Sequence, residues 1–200
     1  MTATEVAPRR ADTPPLEASR STGGPHRSTR PLGGPIMVVS ALWLAAVTAA
    51  TLLKTSEAVH RAALFVHLAA LLAGFGAVLV SDLYGVLWLT GRRRLGHLLS
   101  LHRAVGPMIW LGLIGLVGSG VLLSPNPTVP RTALKMVLVL IATINGIAAS
   151  RHVEQLEALP PASGPHEVPT RLLVTTLAAG AISQACWWGA TLVGFLSTTS

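Results

Sequence analysis

Six side chains in the apolar stretches of this chain could do chemistry: His67, Asp82, Ser119, Lys135, Met136 and Asn145. Histidine offers an imidazole that ligates metal or haem iron, or exchanges a proton near neutral pH. Methionine offers a soft thioether suited to copper. Lysine supplies a compact cation for a carboxylate or a haem propionate. An acid in hydrocarbon is costly and needs a partner or a task, such as carrying a proton or an ion. Asp82 is the only acid in a spanning segment, and Asn145 or a basic group at the inner boundary is its expected partner. Plainer roles compete at each position. His67 can hydrogen-bond a backbone carbonyl or an interfacial water, Lys135 can snorkel to headgroups, and Met136 can simply pack. Trp187 and Trp188 lie deeper than an interfacial belt and are expected in the core.

The elements that must position these groups are membrane helices. Half of the 200 residues are hydrophobic and only 12% are charged, against about a quarter charged in typical soluble domains. The pattern predicts an all-α fold, a polytopic membrane helix bundle of five transmembrane helices: one anchor helix plus a four-helix core. The spans are about 36–53, 62–91, 104–123, 131–150 and 171–196, each long enough for a bilayer core of ~30 Å. The transmembrane domain thus covers 35–200. Residues 1–34, rich in Pro, Gly, Ser, Thr and Arg, read as a disordered basic cytoplasmic tail. Arg9 and Arg10 precede the first apolar run by about 25 residues, too far for a twin-arginine signal, and the long polar lead favours an uncleaved anchor. Between the spans lie a polar turn (54–60), a connection (95–103) carrying His97, His102 and Arg103, a proline-rich turn (124–130), and a mixed-charge loop (151–169).

Orientation follows from the basic residues. One side collects five arginines of the tail with Arg92, Arg93, Arg94, Arg103, Arg151 and Arg171; the other has only Lys54, Arg61, Arg131 and Lys135. The positive-inside rule then places the N-terminus in the cytoplasm and the C-terminus outside. The net charge of +7 therefore speaks of topology and anionic lipid, with the lipid bilayer as partner and no nucleic acid. A redox or assembly partner within the membrane is compatible with this. Thirteen arginines to two lysines, with abundant Ala, Gly and Leu, suggest a high-GC bacterial source and hence the inner (plasma) membrane.

With that topology, His67 lies roughly 7–9 Å below the outer boundary at 1.5 Å per residue. Lys135, Met136 and Ser119 come out at a similar depth, forming an outer polar layer. Asp82 and Asn145 form an inner one, near His97, His102 and Arg103. On the second helix Gly74, Ser81, Asp82 and Gly85 lie within about 60° of His67 around the axis, so one polar, small-residue stripe faces the interior. Gly112, Gly115, Gly118 and Gly120, with the pairs Ala70/Gly74 and Ala142/Gly146, allow close helix approach. The lone Cys186 excludes an intrachain disulfide and a cysteine-based zinc or iron–sulfur site. His67 and His102 sit on opposite sides of the bilayer, and His97 and His102 project about 140° apart on a helix, so bis-histidine haem is disfavoured. A single-histidine haem b, or a His67–Met136 copper site, stays open.

A helix opening HLAALLAGFG (67–76), a basic loop, a Gly-rich helix and a helix carrying LKMVLVLIATING (134–146) together resemble the core of the bacterial copper-resistance inner-membrane family. The same pattern is similar to the membrane-bound bacterial protoporphyrinogen oxidase family, across residues 60–196. The second resemblance implies an early-helix histidine and a later-helix lysine as the functional pair, matching His67 and Lys135. Three functions stay open: a bundle binding haem, a porphyrin or copper near its outer face; a non-enzymatic accessory or structural subunit; and an ion-coupled transporter using Asp82. No inverted repeat or broken helix pair favours the last. Enzyme or not is undecided at this level.

Overall fold

The computed structural model describes residues 31–197, so the expected tail at 1–34 lies almost wholly outside the described residues. Those residues are all helical and connecting, with no strand among them: α1 (Gly33–Leu52), α2 (Glu57–Leu89), α3 (Leu95–Leu122), α4 (Pro130–Glu157) and α5 (Thr170–Leu196). Four of them, α1 to α4, are long and apolar enough to cross a membrane. The chain is an integral membrane protein. The fifth helix is of similar length, 27 residues, but interrupts its apolar run with Ser183 and Gln184.

Helix ends are set by local chemistry. Ser56 caps α2, its side chain accepting from the Val59 amide at 3.4 Å. At the other end Gly91 adopts φ +72°. The Gly91 amide donates to Trp88 (2.9 Å) and the Arg92 amide to Leu87 (2.8 Å). That is a Schellman closure, for which glycine has no Cβ penalty. Two helices run further than the sequence suggested. Residues 95–103, read as a connection, form the first turns of α3, and α4 continues through 151–157. Both overhangs are polar on one side only. Their other side supplies Leu95, Leu99 and Leu156 to an apolar cluster with Trp88, Val168 and Leu172, so packing holds them helical where hydropathy alone did not mark them. Pro107 consequently lies inside α3 and removes one intrahelical donor, the partner of the Arg103 carbonyl.

The bundle is two intimate hairpins, α2 on α3 and α4 on α5, with α1 laid against α3 and α4. The small-residue reading holds at the first hairpin. A Cβ on Gly112 would collide with the Gly74 backbone, lying 2.8 Å from its nitrogen and 2.9 Å from the Ala70 carbonyl. Gly115 faces the Ala70 side chain as closely (2.8 Å), whereas Gly118 has open space. Between hairpins, Phe75 stacks on Trp187 at 5.7 Å, within an apolar cluster of Val78, Leu113, Leu116 and Trp187. Trp187 is thus core, as expected. Trp188 is not: it is 56% exposed and meets Phe75 only edge-on.

The loops sort the chain into two ends. At one end, Thr55 bonds the Leu122 carbonyl (3.2 Å) and Ser124 the Leu53 carbonyl (3.0 Å). This is the lysine end, with Lys54 and Lys135. At the other lie Arg92–Arg94, Arg103, Arg151 and Arg171. This arginine end is tied by Trp88 Nε1 donating to the Ser163 carbonyl (3.1 Å), Gly96 N to the Pro161 carbonyl (2.8 Å), and an Arg103–Glu157 ion pair (3.1 Å).

Candidate functional site

Near the lysine end the helices part around a cavity of about 720 Å³, within the usual ligand-pocket range of about 300–1,000 Å³. His67, Lys135 and Met136, on two hairpins, all line it. Three residues that depth along the helices placed in one layer thus line one cavity. Apart from His60, Thr132 and Thr191 the rest of the wall is apolar, and α1, expected as an anchor, contributes Trp43, Val47 and Ala50 to it.

The His67 ring is oriented by a two-step hydrogen-bond chain. Ser119, 5% exposed, donates its hydroxyl proton to the Gly115 carbonyl at 2.5 Å. With that proton committed, Ser119 Oγ can only accept from His67 Nδ1, 2.9 Å away. The neutral ring then carries its hydrogen on Nδ1 and presents the Nε2 lone pair as a ligand or base. The ring's Cε1 side lies over Gly120, where an added Cβ would touch it at 3.9 Å; a bulkier residue there would crowd it.

Lys135 reaches the same cavity from α4, its stem passing Gly194 of α5. It lies close enough for its charge to act on the His67 ring. Among the described residues it forms no ion pair. His60, Thr132, Thr191 and the buried Cys186, none of them expected in this layer, also line it, and Thr191 Oγ1 is buried without a partner. A largely apolar cavity with one oriented imidazole, a second histidine at His60, one cation and one orphaned hydroxyl suits an amphipathic anion. It suits a closed copper site less well. His67 and Met136 both line it, but no group of three or more His, Cys, Asp or Glu is arranged to hold a metal among the described residues.

A second cavity, about 390 Å³, lies toward the arginine end and is lined by Asp82, Asn145, His102 and His152. Leu113, Ala142 and Trp187 line both cavities and so separate them. Asp82 and Asn145 share this cavity, but the pairing of Asp82 differs from expectation. Asp82 accepts from the Gln184 amide, while Asn145 donates instead to the Ala179 carbonyl (2.8 Å). Gln184 escapes a search for ionisable groups, although it is the one long polar side chain inside the last apolar run. His97 is exposed at the arginine end and joins neither cavity.

No family model, curated protein or solved structure matches this chain.

Proposed function

We propose that this membrane protein binds a carboxylate-bearing, largely apolar ligand of the haem b or porphyrin class in its lysine-end cavity. His67 would serve as ligand or base, and Lys135 would pair with a carboxylate. The observation that carries this reading is the Ser119–His67 chain, which engages one ring nitrogen of a cavity-lining histidine and leaves the other for a ligand. The absence of an ion pair at Lys135 among the described residues and the orphaned Thr191 hydroxyl support it, and so does the resemblance to the protoporphyrinogen oxidase family. A haem bound there would supply one-electron chemistry at its iron. The chain's own part is to orient the ring, neutralise a carboxylate and exclude water with the α1 wall. The arginine asymmetry orients the protein in a bacterial inner membrane, N-terminus in the cytoplasm, so the cavity sits in the outer leaflet, where a membrane redox or assembly partner could reach it.

The full chain, purified in detergent and titrated with haemin and separately with metal-free protoporphyrin, tests this by the Soret spectrum. Saturable binding of either is expected. His67→Ala should abolish the axial signature of haemin, Lys135→Met should weaken both ligands, and Lys135→Arg should restore part of the loss, since a planar guanidinium replaces a compact ammonium. Absence of binding by the wild type, with both variants folded, would instead mark the protein as a structural or accessory subunit.

A further inference from the structure

Polar groups at the arginine-end cavity already donate one hydrogen bond each to protein. Ser81 donates to the Ala77 carbonyl (3.0 Å), Asn145 to Ala179, and Gln184 to Asp82. What these residues retain is one N–H on each amide and acceptor capacity: one carboxylate oxygen, two amide oxygens and a hydroxyl lone pair. Two more cavity-lining atoms, His152 Nδ1 and Thr176 Oγ1, are buried with no partner at all. Buried polar atoms seldom stay unpaired, and the usual remedy is ordered water. At ~30 Å³ per molecule a volume of about 390 Å³ has room for roughly ten. Three glycines on the wall, Gly85, Gly106 and Gly180, would each extend a Cβ into open space.

Asp82 forms no ion pair with any cation among the described residues. A carboxyl in a membrane bundle without a counter-charge is held neutral by a proton or by a bound cation. The titratable groups on the wall are Asp82 from α2, His102 from α3 and His152 from α4. On α5 the polar lining residues are Thr176 and Ser183, neither of them titratable. The exposed Arg103–Glu157 pair stands beside His102 at the arginine end. Imidazoles carry protons well and bind alkali cations poorly, and no metal-holding group of three is present among the described residues.

We propose that this cavity is a water-filled proton vestibule, in which Asp82 takes up and releases a proton that travels through water past His102 and His152 from the arginine end. The path stops at the Leu113–Ala142–Trp187 septum, so the vestibule opens to one side only. The inference does not depend on what the lysine-end cavity binds.

The test uses the full chain in liposomes and two independent readouts. The first is N,N′-dicyclohexylcarbodiimide, which adds covalently to protonated carboxyls in apolar surroundings. Mass spectrometry should place the adduct on Asp82, increasing as pH falls, unchanged by excess sodium and lost in Asp82→Asn. The second leaves Asp82 intact, in case that variant fails to fold. On a Cys186→Ala background, Gly85→Cys and Gly180→Cys should react with a small aqueous thiosulfonate applied at the arginine end and not from the opposite side. Leu83→Cys, on the exposed apolar face of α2, should stay unmodified. Protection by sodium would make this a cation site and overturn the proposal. So would absence of adduct at every pH, or cysteines at 85 and 180 that react from neither side.

Discussion

The two ends of this bundle solve opposite problems with the same helices. At the arginine end α3 and α4 overrun the expected spans and close on Trp88, Leu95 and Leu172, with Leu95 wholly buried. The residues there are large, and the loop is stitched to the helices. At the lysine end α1 contributes one wall, and a cavity of about 720 Å³ remains. Apolar burial against neighbouring helices and loop is concentrated at one end, and the oriented imidazole at the other. Stability and binding should therefore respond to different substitutions, which makes the contrast testable.

The largest effect belongs to the point on which both ends depend, the α2–α3 crossing. Gly112→Leu would drive a side chain into the Gly74 backbone. Backbone cannot yield as a side chain can, so the cost should exceed the about 1–3 kcal/mol usual for overpacking. Loss of monodisperse protein on size-exclusion chromatography is the expected result. A well-behaved Gly112→Leu protein would mean that the two helices do not cross at these glycines.

Trp88→Ala comes next. It removes a buried ring and the bond to the Ser163 carbonyl, and should cost about 3–5 kcal/mol. A thermal melt followed by circular dichroism would read it. Ligand affinity at the lysine end should be unchanged in the protein that remains folded. If affinity falls in step with stability, the two ends are not separate and the contrast fails.

The residues that separate the ends differ in how plainly the sequence displayed them. Hydropathy and arginine spacing were enough for the helices and their order, because length and charge are local quantities. Depth along each helix also brought His67, Ser119, Lys135 and Met136 to one layer, since 1.5 Å per residue converts position into height. What could not be read was anything decided by rotation of one helix against another. The helical state of 95–103 depends on Leu95 and Leu99 meeting Leu156 across the bundle. Likewise, Gln184 rather than Asn145 meets Asp82 because of how α5 is turned. Thr191 and Cys186 entered the site the same way, as ordinary residues in an apolar run that happen to line a cavity.

Ser119→Ala sharpens the lysine-end half of the contrast. It leaves the His67 ring in place but removes the oxygen that holds Nδ1–H. Losing such an orienting partner typically weakens ligation about 10–100-fold, while a single interhelical hydrogen bond in a membrane is worth only about 0.6 kcal/mol. Haemin affinity should fall by that factor with a small change in melting temperature. A Ser119→Ala protein that binds as tightly as wild type would show that the serine serves the α2–α3 contact alone.

The smallest effect is expected where the arginine end looks most strongly held. Arg103 and Glu157 meet at 3.1 Å across α3 and α4, yet their side chains are 69% and 36% exposed. Water and salt screen such a pair, and ordering two long side chains offsets much of the attraction, leaving about 0–1 kcal/mol. Arg103→Ala should therefore lower the melting temperature by no more than about 2–4 °C, with the difference shrinking further in high salt. The orientation in the membrane should also survive, because Arg92, Arg93, Arg94, Arg151 and Arg171 remain at that end. Comparison with Trp88→Ala decides what closes the arginine end. A loss from Arg103→Ala as large as that from Trp88→Ala would mean that charge, rather than the cluster around Leu95, holds the overhanging helices together.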